Sequence, residues 1–177
     1  MRKLKITELH RMSPEAFKTA EKIPLVVVLD NVRSLHNVGS VFRTSDAFCV
    51  QSVYLCGITA VPPHPEIHKT ALGAENTVDW KHFDNILDAI DELKQQNYTI
   101  IAVEQAENSL RPEELPIENH KYAIILGNEV HGVTQEAVDR CDYCVEIPQF
   151  GTKHSLNVSV AAGIVIWDLF NKLNVNG

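Results

Sequence analysis

IPQFGTKHSLNVSVAAGIVIWDLF, residues 147–170, is the stretch around which the rest of the chain is organised. It leaves an apolar run at Ile147, passes Pro148 and Gly151, and presents Ser155-Leu156-Asn157 ahead of a long apolar helix. Ser155 is the expected N-cap, because its hydroxyl can accept a hydrogen bond from an otherwise unpaired first-turn N–H. Val158, Val160, Ala161, Ala162, Ile164, Val165, Ile166 and Leu169 then place apolar side chains nearly all round. That pattern predicts a helix buried on most faces. A polar turn feeding a buried helix breaks the usual placement of polar residues, and such breaks concentrate at sites.

Working outward, the chain alternates strands and helices. Residues 25–29 (LVVVL) form a continuous β-branched run bounded by Pro24 and Asp30, as a fully buried parallel strand does. Further strands are expected at 51–56, 77–80, 98–103, 122–126 and 143–147. Helices are expected at 40–48, 69–75, 84–96 and 134–140. Residues 30–39 read as a polar loop, 61–65 as a Pro-rich loop and 111–119 as a Pro- and Glu-rich connection. Residues 1–24 read as a short basic helical arm, with Ser13-Pro14 as cap and first helical residue and Pro24 as its end. The alternation predicts an α/β fold, a mostly parallel sheet with helices on both faces. Ligands of such sheets sit beyond the carboxyl ends of the strands. Loops 30–44, 127–132 and 147–157 all begin there.

At 177 residues the chain is long enough to bury a core without staples. It is 45% hydrophobic and 22% charged, without a membrane-spanning run or a signal-peptide core, so the cytoplasm is the expected compartment. Cys49, Cys56, Cys141 and Cys144 lie in or beside apolar runs, which suits reduced thiols. Cys141 and Cys144 have half-zinc-site spacing, but only His64 and His68 offer a second pair, so no metal is expected. Net charge is −7. Residues 1–45 nevertheless hold eight Lys/Arg against four Asp/Glu, a local excess of +4. Any RNA-facing surface should therefore involve Lys3, Lys5, Arg11, Lys18, Lys22, Arg33 and Arg43, although on charge alone the segment reads as well as a scattered, solvated basic stretch.

No glycine-rich dinucleotide fingerprint, P-loop or Ser/His/acid constellation is present. Residue chemistry alone gives an α/β protein with a polar, Gly-rich site and an arginine in it. Three segments then carry a resemblance: residues 30–44 (DNVRSLHNVGSVFRT), residues 125–132 (ILGNEVHG), and Ile147-Pro148 followed by Ser155-Leu156-Asn157-Val158-Ser159. In order and spacing they resemble the N-x-G-x-x-x-R-T, L-G-N-E-x-x-G and I-P-…-S-L-N-V-S motifs of the SpoU/TrmH family of RNA ribose 2′-O-methyltransferases, in the SPOUT superfamily. Residues 69–74 (KTALGA) resemble a connecting segment of that family, and the matches together span 25–168.

The resemblance implies a C-terminal deep trefoil knot within a SPOUT-like domain spanning 25–177, S-adenosylmethionine as cofactor, an RNA substrate and a homodimer whose sites lie close to the partner subunit. It places the adenosine part of the cofactor against Val103, Glu104, Gln105, Leu126, Gly127, Gly132, Ile147, Pro148, Ser155 and Leu156. Gly127, Gly132 and Gly151 would allow tight turns and close backbone approach. Arg43 is the implied catalytic residue, with Asn37 positioning it or an RNA phosphate, and Glu129, Ser155 and Asn157 holding the substrate side. The structural alternative for Arg43 is a helix-surface cation paired with Asp46. Family members that methylate large ribosomal RNA often carry a separate N-terminal RNA-binding domain, for which the 24-residue arm is too short, so the resemblance implies a tRNA substrate ahead of rRNA. A catalytically silent RNA- or ribosome-binding module, or a base-methylating enzyme of the same superfamily, is the alternative.

Overall fold

In a computed structural model the chain is described over residues 1–118 and 120–175; Asn119, at the end of the expected 111–119 connection, and Asn176 and Gly177 lie outside the described residues. A short turn at Ile6–Glu8 leads to α1 (Pro14–Thr19), and then β1 (Ile23–Asp30), α2 (Leu35–Ala47), β2 (Val50–Cys56), α3 (Pro65–Ala71) and β3 (Trp80–Phe83). There follow α4 (Ile86–Gln95), β4 (Thr99–Val103), β5 (Tyr122–Leu126), α5 (Gln135–Val138), β6 (Tyr143–Val145) and α6 (Val158–Val175). The six strands form one sheet in the order β3-β2-β1-β5-β4-β6. Every pairing is parallel.

The period-2 geometry of strands turns the uninterrupted apolar runs into two cores. Leu25, Val27 and Leu29 of β1 join Tyr122, Ile124 and Leu126 of β5 on one face, packed with α2, α3 and α6. Val26 and Val28 join Ala123 and Ile125 on the other, under α4. Each fully buried aliphatic side chain here contributes about 1.5–3 kcal/mol relative to exposure. No helix among the described residues is long and apolar enough to cross a membrane.

Five of the six strand expectations hold at their centres, and the departures have local causes. Pro24 does not end the arm; it lies inside β1, where a register shift between Ile23 and Val26 accommodates its missing N–H. The arm's helix is confined to α1, where Ser13 Oγ accepts from Ala16 N–H at 3.2 Å as its sequence suggests. The third strand lies at Trp80–Phe83 rather than 77–80, on an exposed edge where burial does not fix position. The helix expected at 69–75 starts at Pro65, capped by His64 Nδ1. The helix expected at 40–48 starts five residues earlier, with Ser34 Oγ accepting from Asn37 N–H at 3.3 Å. Most of the expected polar loop is therefore helix.

Two expectations for α6 are corrected. Ser155 is not its cap: the helix begins at Val158, and Asn157 Oδ1 accepts from Ser159 N–H at 2.9 Å. Nor is α6 buried on most faces of the single chain. Ala162, Val165, Ile166 and Leu169 are buried, whereas Val160, Ile164 and Trp167 are 50%, 40% and 53% exposed. Spaced by four and three residues, they form an apolar stripe on one helix face.

Candidate active site

The carboxyl ends of β4, β5 and β6 open into a cavity of about 500 Å³, within the range of ordinary ligand sites. Val103, Glu104 and Gln105 line it from β4, Leu126 to Gly132 from β5, and Val145 to Ile147 with Gln149 from β6. His154, Ser155, Leu156 and Asn157 close it, with Val158 and Ala161 from α6. The three loops singled out in the sequence thus meet at one place. Two converge on the cavity wall, and the first stands directly behind it.

The β5 loop folds back on itself because of Asn128. Its Oδ1 accepts from the N–H groups of Val130 (2.9 Å) and His131 (3.1 Å), and its backbone exchanges two hydrogen bonds with Gly132. A Cβ on Gly127 would fall 2.0 Å from the Gly132 carbonyl carbon, and Gly132 itself sits at φ +69°. Both positions therefore require glycine. Gly151 does not, since nothing approaches it within 4 Å and its backbone is not left-handed. Glu104 braces the loop from β4: Oε2 accepts from Val133 N–H at 2.9 Å and Oε1 from Gln105 N–H at 2.8 Å. Gln105 Nε2 donates to the His154 carbonyl at 2.7 Å, tying the 147–157 segment over the strand ends. Among the described residues the N–H groups of Gly127, Ile147 and Leu156 make no hydrogen bond.

A polar chain joins the three motifs. Glu129 Oε2 accepts from Arg33 N–H at 3.0 Å, and Oε1 accepts from Ser34 N–H at 2.9 Å and from Asn37 Nδ2 at 3.0 Å. The other side of the Asn37 amide, Oδ1, accepts from Asn157 Nδ2 at 3.1 Å. Each amide orientation follows from its neighbours, since a carboxylate only accepts and a backbone N–H only donates. Burial alone would raise the Glu129 carboxyl. The N–H groups of Arg33 and Ser34, with the Asn37 amide, outweigh it and leave its pKa below the ordinary value. Glu129 thus stays ionised as a cap on the amino end of α2.

Of the residues expected around the cofactor, Val103, Glu104, Gln105, Leu126, Gly127, Gly132, Ile147, Ser155 and Leu156 line the cavity, and Pro148 does not. Glu129, Ser155 and Asn157 line it as well, while Asn37 is buried behind them. Arg43 is elsewhere. It projects from α2 into a second recess with Arg11, away from the cavity of its own chain. It does not pair with Asp46, which instead accepts from Thr77 Oγ1 at 2.6 Å. Residue-by-residue reading missed Asp30, which is fully buried and accepts from Asn31 Nδ2 (2.8 Å) and from Thr134 N–H and Oγ1 (both 3.1 Å). Its only signal was an acid at the end of an apolar strand. Cys144 lies on β6 as expected, and no group of three His, Cys, Asp or Glu among the described residues is placed to hold a metal.

Comparison with known proteins accords with this geometry. Residues 24–167 match the model of the SpoU rRNA Methylase family. A protein of Staphylococcus saprophyticus assigned to the TrmH family of tRNA/rRNA methyltransferases is 32% identical over 160 residues, covering 90% of this chain and 64% of that protein. The chain spans less than two thirds of the length of that relative and of those next to it. The crystal structure of the A. aeolicus TrmH/SpoU tRNA modifying enzyme superposes with a TM-score of 0.82 at 27% identity, over 93% of this chain and 82% of that one. An AdoMet-bound rRNA methyltransferase from Sinorhizobium meliloti superposes with a TM-score of 0.80 at 25% identity, over 92% of this chain and 62% of that one. A parallel sheet, three motifs meeting at its carboxyl edge and a family match across 24–167 place this chain in the SpoU methylase family.

Proposed function

We propose that the chain is an S-adenosylmethionine-dependent RNA methyltransferase that acts on a ribose 2′-hydroxyl, of tRNA ahead of rRNA, as a cytoplasmic homodimer with a knotted C-terminal segment. The observation that carries the reading is that the 127–132 and 147–157 motifs line one cavity and are tied, through Glu129 and Asn157, to Asn37 of the 30–44 motif behind it. The cavity suits the cofactor. Leu126, Ile147, Leu156, Val158 and Ala161 offer apolar surface, and the unbonded N–H groups of Gly127, Ile147 and Leu156 offer donors beside them. Gly127 and Gly132 keep the β5 loop thin enough for close backbone approach.

When bound, S-adenosylmethionine supplies a methyl group on a positively charged sulfur, so no metal is needed. The chain supplies alignment, exclusion of water and charge. Glu104 and Gln105 hold the cofactor side; Ser155 and Asn157 face the substrate. Asn37 and Glu129 are positioning residues that fix the start of α2. Arg43 is the catalytic residue, reaching the cavity of a second copy. Its exposure, and the exposed stripe Val160, Ile164 and Trp167 on α6, which packs against α2, support that arrangement. A guanidinium stays charged across the physiological range, so its contribution is electrostatic stabilisation of a developing alkoxide.

The test is transfer of labelled methyl from S-adenosylmethionine to bulk tRNA and rRNA from cells lacking the protein. An alkali-resistant dinucleotide establishes ribose methylation, and label on a base refutes it. Cofactor affinity without transfer to either pool favours the silent module. Arg43→Ala should abolish transfer while leaving cofactor affinity and dimer mass intact; loss of folding would make Arg43 structural.

A further inference from the structure

The recess that holds Arg43 is itself a built surface. The arm supplies Arg11, Met12, Ser13, Pro14 and Phe17, α2 and its end supply Arg43 and Asp46 to Cys49, and the turn after α3 supplies Leu72 and Gly73. Its volume is about 760 Å³. Among the described residues neither the Arg11 nor the Arg43 guanidinium has a hydrogen-bond or ion-pair partner. The one carboxylate lining the recess, Asp46, is engaged by Thr77 Oγ1. Asp46 keeps its charge under the Thr77 hydroxyl but forms no ion pair with either arginine, so both guanidinium groups keep donors open to a phosphate. Apolar surface lies beside them, with Met12 53% and Leu72 63% exposed. The arm is not a loose tether: Phe17 is 5% exposed in the core, with Lys22 Nζ 4.1 Å over its ring. Cation, apolar face and rigid wall together suit a nucleotide.

We propose that this recess seats an RNA nucleotide adjacent to the one methylated, Arg11 holding its phosphate and Met12 and Leu72 facing its base. The proposal rests on the RNA methyltransferase reading and adds where the backbone runs. Charge favours this partner: the first 45 residues carry the +4 excess, whereas the rest, with eight Lys/Arg against nineteen Asp/Glu, carries −11. RNA is therefore repelled by most of the surface and admitted along this edge. Arg11 acts as a positioning residue, apart from the methyl transfer itself.

The experiment compares wild type, Arg11→Ala and Arg11→Lys as full chains. It measures unfractionated tRNA binding across a salt series, KM and kcat for transfer, S-adenosylmethionine affinity and mass in solution. Arg11→Ala should raise KM for tRNA about tenfold, the size of one charge-assisted hydrogen bond, with kcat and cofactor affinity retained. Its log–log salt slope should be shallower by about 0.7, one phosphate contact. Arg11→Lys should recover the slope and only part of the affinity, because an ammonium keeps the charge without the planar fork. Unchanged tRNA affinity in Arg11→Ala overturns this proposal alone. Intact tRNA affinity with loss of dimer mass makes the recess a face between copies. Inorganic phosphate competing as well as tRNA does would make it a free-anion site. A wild type that binds no tRNA at all overturns the underlying RNA reading with it.

Discussion

Replacing Glu129 by glutamine tests whether the polar lock assembles the site. The substitution keeps the shape but leaves one acceptor oxygen where two now receive Arg33 N–H, Ser34 N–H and Asn37 Nδ2. The new NH₂ must face at least one of those donors. An unmet buried N–H costs about 1–3 kcal/mol, and loss of an anion at a helix amino end costs about 0.3–1 kcal/mol. Glu129 is open to water on one side, so the low end applies and the sum is about 1–2 kcal/mol. For a chain of this size that lowers Tm by about 2–8 °C. The pH dependence carries a sign. The Glu129 carboxyl has a lowered pKa in the fold, so its stabilisation is fully present above the unfolded carboxylate pKa of about 4.3 and is lost as pH falls through the folded value. Urea unfolding of both proteins through a pH series should show a constant gap from neutral pH down to about pH 5, narrowing in acid. A gap absent at neutral pH, or undiminished in acid, would refute the lock.

Two further substitutions probe the scaffold around it. Gly39→Ala should lower the urea midpoint without changing the slope, because the added Cβ would lie 2.1 Å from Thr70 Oγ1 and 2.3 Å from the Ile67 carbonyl oxygen. Overpacking of α2 against α3 costs about 1–3 kcal/mol or more, only partly offset by the roughly 1 kcal/mol gain in helix propensity. Gln105→Ala removes the 2.7 Å bond to the His154 carbonyl. It should weaken S-adenosylmethionine binding in calorimetry about three- to tenfold, the worth of one hydrogen bond, and speed amide exchange in residues 149–156; unchanged exchange would mean that another contact holds that segment.

How much of this was legible depends on how local the cause is. The strands were, because β-branched runs ending at Asp30, Val103 and Leu126 need only their own composition to declare themselves. The start of α2 was not. Residues 30–39 are polar enough to read as loop, and the donors at the front of that helix are met by Glu129, more than ninety residues later. The α6 cap failed for the same reason. By local rules Ser155 and Asn157 are comparable caps. What selects Asn157 is Asn37, 120 residues earlier, which accepts from its Nδ2 while its Oδ1 faces Ser159.

The misjudged burial of α6 is a different kind of error, and a more useful one. An apolar helix pattern records what is covered in the working assembly, not in one isolated chain. Val160, Ile164 and Trp167 are apolar in a position that a single copy leaves open. The same chain keeps Arg43 out of its own cavity, on the helix against which α6 packs. One arrangement accounts for both, since a second copy laid against α6 would cover the stripe and bring a foreign Arg43 toward the cavity. The homodimer we propose would serve the catalytic reading and cover the stripe at once. Arg43 and the stripe should fail together: a variant that opens the dimer should lose methyl transfer while its cavity still binds S-adenosylmethionine.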